Sequence, residues 1–139
     1  MSYPSPGVLP TKPAPTRGEV IEFAVFGLPP FKDVKRSIRN PKHPKHDAFI
    51  RLREAATAVM SQRECYSGPI ELDISLYAPK PERPLIDYVG GIQDTLDGSH
   101  GPGFTYLPIC YQDDCQVAAG HIKFVESVDE SYAVRISFL

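Results

Sequence analysis

From Ile70 to Tyr77 apolar and polar residues alternate without a break, Ile70, Leu72, Ile74 and Leu76 against Glu71, Asp73, Ser75 and Tyr77. Successive side chains of a strand point to opposite faces, so this run predicts a strand buried on one side. Glu19 to Phe26 predicts an earlier strand, with Ile21, Phe23 and Val25 on one face and Gly27, Pro29 and Pro30 ending it. A third strand is expected from Asp113-Asp114 to about Val125. A fourth carries Tyr132, Val134, Ile136 and Phe138, and a turn at Asp129-Glu130 predicts that the last two form an antiparallel hairpin.

Elsewhere the period lengthens. Phe49, Leu52, Ala56, Val59 and Met60 recur at helical spacing, which predicts a helix capped by Asp47 and running to about Gln62, with Arg51, Arg53 and Glu54 facing away. A second helix is expected from Ile86 to Asp97, with Ile86, Val89, Ile92 and Leu96 as its buried stripe. Asp87, Gly91 and Asp94 stand at i, i+4 and i+7, so both carboxylates leave one side with a glycine between them. Gly90 and Gly91 together cost roughly 2 kcal/mol against alanine in a helix interior. Something is therefore expected to press close there: a strand, a second subunit or a phosphate. The order β-α-β-α-β-β predicts an α+β fold, a small mixed or antiparallel sheet of about four strands with two helices packed on it.

The chain of 139 residues fits one domain. Residues 1–18 carry five prolines and no apolar period, which predicts an extended or disordered tail ahead of a single domain at 19–139. No apolar run approaches the ~20 residues of a membrane span, and no secretory pattern opens the chain. Cys65, Cys110 and Cys115 are odd in number and irregular in spacing, which argues against a disulfide framework. A reduced, cytoplasmic setting without a membrane partner is the expectation.

Charge adds a second layer. The formal net charge is −2, yet residues 1–63 hold 11 Lys/Arg against 5 Asp/Glu, and residues 64–139 hold 4 against 12. Lys32, Lys35, Arg36, Arg39, Lys42 and Lys45 crowd the loop before the first helix, and Lys80 and Arg83 precede the second. Clustered cations are the footprint of a polyanion. The plain alternative is a solvated loop and helix face.

The acidic half offers Asp87 and Asp94 on one helix face and Asp113-Asp114 where a loop enters a strand. Hydrolysis of a phosphodiester calls for a hard cation, and Mg²⁺ is usually held by one or two carboxylates with several waters. Surface and turn roles for the same residues remain the alternative. A zinc site from Cys110, Cys115, His100 and His121 is disfavoured, since Cys115 and His121 on one strand would stand ~20 Å apart. Phosphate-cradling G-x-x-x-x-G-K and G-x-G-x-x-G motifs are absent from the sequence.

The stretch Pro84-Leu-Ile-Asp-Tyr-Val-Gly-Gly-Ile-Gln-Asp-Thr-Leu-Asp-Gly98, followed by Asp113-Asp-Cys-Gln-Val117 and His121-Ile-Lys123, resembles the RusA-type Holliday-junction resolvases. The resemblance implies a homodimeric, Mg²⁺-dependent (Mn²⁺ also serving) endodeoxyribonuclease that resolves four-way DNA junctions in recombination and repair. It places Asp113 and Asp114 on the family's acidic pair at the strand, with Gln116 and Val117 in register. Asp87 falls on the second acidic position of the first motif or on its asparagine, depending on alignment. On this reading Asp87, Asp113 and Asp114 are catalytic and bind metal, Asp94 is a fourth ligand, and Lys32, Lys35, Arg36, Arg39, Lys42, Lys80 and Arg83 hold DNA. At least one family carboxylate is missing, and Gly90 or Gly91 stands where the family has its lysine. The alternative is a branched-DNA-binding protein on the same scaffold that has lost chemistry. An interaction module unrelated to DNA is the third class.

Overall fold

A computed structural model describes residues 10–31, 42–97 and 108–139. The elements are β1 (Val20–Phe26), α1 (His46–Met60), β2 (Ile70–Ala78), α2 (Leu85–Leu96), a 3-10 turn (Asp114–Gln116), β3 (Val117–Glu126) and β4 (Ser131–Phe138). The four strands form one mixed sheet in the order β1-β4-β2-β3. The expected α+β class with two helices and four strands is what the chain adopts.

The expected terminal hairpin is corrected. β4 runs antiparallel to both β1 and β2, between them, while β3 pairs parallel with β2. Residues 127–130 must therefore carry the chain past the end of β2, about 10 Å at the usual strand spacing. β2-α2-β3 is then a parallel crossover unit, for which a helix is the usual connection. β2 is buried on its inner face at Ile70, Leu72, Ile74, Leu76 and Ala78, as alternation requires.

Both helices cover that inner face. α1 buries Phe49, Leu52, Ala56 and Met60 at helical spacing, together with Arg53. The expectation that Arg53 faces solvent is corrected. It continues the i, i+3, i+4 stripe inward, and its Nη1 donates to the Thr95 carbonyl at 3.4 Å, linking the two helices. The expected Asp47 cap also differs. The N-cap position is Lys45, whose backbone N–H donates to His43 Nδ1 at 2.9 Å, and Asp47 lies in the first turn, where its charge suits the helix dipole.

In α2 the buried residues are Tyr88, Gly91, Ile92, Thr95 and Leu96. Ile86, expected inside, is exposed. The stripe is turned because the helix meets its neighbour through Gly91, where the backbone of Pro30 and Phe31 packs. The close approach anticipated for the glycine pair is thus met from within the chain, by the segment leaving β1. Residues 10–16 lie along the domain and Arg17-Gly18 turn into β1, with Thr11 and Lys12 N–H donating to the Gln62 carbonyl and Gly18 N–H to the Phe138 carbonyl. Among the described residues no helix is long and apolar enough to cross a membrane.

Candidate functional site

α2 organises the candidate site because its two ends meet different segments. At its N-terminal end the Arg83 guanidinium stacks 4.1 Å from the Phe31 ring centroid, and the Lys45 ammonium lies 5.5 Å from the same ring. Tyr88 and His43 approach that ring edge-on, at 6.3 and 6.4 Å. Phe31 precedes the basic segment and Lys42–Lys45 follows it. Both described ends of the segment therefore rest against the start of α2. Lys32, Lys35, Arg36 and Arg39 themselves lie outside the described residues, as do His100 and most of the loop expected over 98–111. Lys42 and Lys80 are exposed.

Asp87 stands in the first turn of α2, where Arg83 Nε contacts its Oδ2 at 3.3 Å. A carboxylate there is favoured by the helix dipole and, with Arg83, forms a partly exposed i, i+4 pair. Tyr88 is buried, which pushes its phenol above the ordinary value, and its oxygen accepts from the Glu82 N–H at 3.3 Å. Tyr88 is a packing residue that ties the Pro-rich connection to the helix.

Gly91 lies one turn beyond Asp87 on the same face. A Cβ built on it would overlap the Pro30 carbonyl and stand 2.8 Å from Phe31 Cα. Both obstacles are backbone, so a flexible side chain cannot swing aside to make room. Gly91, one of the two glycines expected at the lysine position of the resemblance, therefore has no space for any side chain.

The strand-opening element is held by one glutamine. Gln116 Oε1 accepts from the N–H groups of Gln112 and Asp113 at 2.8 and 3.0 Å, and its Nε2 donates to the carbonyls of Tyr66 and Gly68 at 2.7 and 2.8 Å. All four partners are main chain. Asp113 Oδ1 accepts from the Cys115 N–H at 2.9 Å, closing an Asx turn ahead of the 3-10 turn. The side chain of Asp114 lies outside the described residues.

Among the described residues these acids are not gathered by the fold. The Leu96 carbonyl accepts from the N–H groups of Ile109 and Cys110, and the Cys110 carbonyl from the Tyr66 N–H, so the chain leading to Asp113 is fastened to the C-terminal end of α2. Asp87 lies nine residues before Leu96, about 13 Å along the helix axis. Asp94 sits near the far end, half-buried. Among the described residues, Asp87, Asp94 and Asp113 do not form a set able to share an ion.

A different trio does come together. One ligand atom each from Glu71, Asp73 and His121 lie within 4.8 Å of one another on the helix-free face, with His121 Nε2 3.5 Å from Glu71 Oε1. Alternation in β2 is a sufficient signal for Glu71 and Asp73 sharing a face. The parallel register that sets His121 beside Asp73 is not readable from an expectation that pairs β3 with β4. The imidazole and carboxylate make a cross-strand polar pair, and Lys123 and Arg135 line the same shallow depression.

Burial pushes the Cys110 thiol up to about 12 and raises Cys65 as well, which disfavours the free thiolate of a nucleophile at either position. No protein-family model matches this chain, and no curated protein is significantly similar to it.

Proposed function

We propose that this protein binds branched DNA, four-way junctions in particular, on a scaffold similar to that of the RusA-type resolvases. The observation that carries the reading is the anchoring of the basic segment. Phe31 and Lys45, the described residues on either side of it, are held with Arg83 at the start of α2, which sets two cations against one ring there. Cations of this kind grip phosphates and position a duplex without reading its sequence. A homodimer suits the two-fold symmetry of a four-way junction, and Lys32, Lys35, Arg36, Arg39, Lys42, Lys80 and Arg83 are the proposed contacts.

Binding is favoured over cutting by the state of the acidic residues. Asp87 is paired with Arg83, Asp113 is engaged in its own turn, and the two belong to opposite ends of α2. That arrangement does not fit one Mg²⁺ ion shared between them. Of the two glycines at the lysine position of the resemblance, Gly91 leaves no room for that side chain.

A second reading, the Mg²⁺- or Mn²⁺-dependent endonuclease, is favoured by one specific observation. Asp113-Asp114-Cys115-Gln116-Val117 stands in full register with the family's strand element, and Gln116 fixes its backbone. In that case Asp113 and Asp114 would hold the ion. One experiment separates the readings. A labelled four-way junction is incubated with the full chain, with and without Mg²⁺ or Mn²⁺, across a salt series. The expected result is a retarded, salt-sensitive complex and intact strands. Incision abolished by Asp113→Asn/Asp114→Asn would replace the binding reading with the nuclease one. Failure to retard any DNA at low salt would sink both.

A further inference from the structure

The face of the sheet turned away from the helices is laid out in rows by the strand register. One row reads Glu22, Arg135, Asp73, His121 across β1, β4, β2 and β3. The next toward the far end reads Ala24, Ala133, Ser75, Lys123, and the last Phe26, Ser131, Tyr77, Val125. On the other side stand Val20, Ser137, Glu71 and Ala119. Phe26 is 85% exposed and Val20 and Val125 are also open, so three large apolar side chains stand on the two edge strands of this face.

The signs in the charged row run minus, plus, minus, and then a histidine. That order is self-complementary when reversed. A two-fold axis parallel to the strands, passing between β4 and β2, sets each row against its own reverse. Arg135 then meets Asp73 of the other copy, and Glu22 meets the other copy's His121. Along the outer row Phe26 meets the other copy's Val125, and Ser131 meets Tyr77. At the opposite end Val20 meets Ala119. No like charges are opposed.

From this pattern we propose that a second copy of the chain covers the helix-free face, in an isologous sheet-on-sheet dimer. The proposal deepens the homodimer named above by giving its interface, and its test needs no DNA. Aligned sheets pack about 10 Å apart with strands offset by roughly 30°, which keeps the central strands opposite each other. Four strands at about 4.8 Å and seven residues at about 3.3 Å give a projected footprint of roughly 400 Å² per protomer. Side-chain relief raises the total toward the ~1,000 Å² of a modest specific interface. An interface of that size is expected to be weak, dissociating at roughly micromolar concentrations. The dimer leaves α1 and α2 of both copies outside the interface, since the helices lie on the other face of each sheet.

Charge reversal and mixing test the geometry. Asp73→Arg sets a new guanidinium against Arg135 of the second copy. Arg135→Asp sets a new carboxylate against the second copy's Asp73. Each variant alone is expected to weaken self-association at least tenfold. Mixed together, they present two cations to two anions, and a heterodimer should form at the wild-type concentration. Sedimentation velocity from about 5 to about 300 μM, spanning the micromolar dissociation expected of so small an interface, reads all three cases. Far-UV circular dichroism checks that each variant is folded. A misfolded variant moves the same test to Glu22→Lys and His121→Asp. Wild type that stays monomeric throughout overturns the proposal. So does a dimer indifferent to the single substitutions, or a mixture that remains monomeric. Loss of DNA binding with the dimer intact would count against the functional reading alone.

Discussion

At the N-terminal end of α2 the chain meets its neighbours through rings, cations and a bare glycine. At the C-terminal end it meets them through main-chain hydrogen bonds, with Gln116 joining four backbone groups nearby. On the proposed reading these regions are the two halves of a resolvase-like motif. The strand element is braced by Gln116. In the helix element Asp87 is paired with Arg83, and at Gly91 the backbone of Pro30 and Phe31 stands where a side chain would be. A lysine placed at 91 would therefore need a backbone shift as well.

The sharpest way to break that contrast is to force a side chain into the filled position. Gly91→Lys must displace backbone, and overpacking of this kind costs about 3 kcal/mol. Urea denaturation should show the loss as a lower midpoint at unchanged slope. A variant as stable as the wild type would mean that position 91 has room for a side chain after all.

Gln116→Ala addresses the other half. It removes four hydrogen bonds, two of them to carbonyls of the segment leading into β2, for an expected cost of about 2 kcal/mol. Hydrogen exchange should quicken at the N–H groups of Gln112 and Asp113, while α1 stays protected. Gln116→Glu keeps the acceptor but loses the donors, so protection at those two amides should largely return while stability stays low.

Arg83→Ala gives the smallest stability change, about 0.5 kcal/mol or less, because its pair with Asp87 is partly exposed. Its effect should appear in DNA binding instead. The slope of log affinity against log salt is expected to fall by about one phosphate contact. An unchanged slope would remove this end of α2 from the DNA interface.

Much of the fold was legible because β2 alternates perfectly and α1 repeats at helical spacing. What escaped depended on neighbours. Ile86 carries the hydropathy of a core residue, yet the contact point is Gly91, which has no hydropathy to advertise. The charge of Arg53 hides the fact that it continues the apolar stripe of α1. The hairpin expectation fails since a short turn says which strands are consecutive, not which are adjacent. For the candidate site, the value of Gln116 is visible in the sequence only as a letter in a motif. Its four main-chain partners span about 50 residues of sequence, and only the folded chain brings them together.

The seat of β4 between β1 and β2 governs how the molecule assembles. Val20 pairs with Ser137, so the sheet cannot close until segments more than a hundred residues apart have found each other. Pairings of such range slow folding, because the chain must surrender loop entropy before any ladder bond forms. Until that strand arrives, β1 and β2 each offer a bare hydrogen-bonding edge, which is the condition that invites intermolecular pairing. Newly made or partly unfolded chains are therefore the aggregation-prone species, and arrival of the final strand is what ends that exposure.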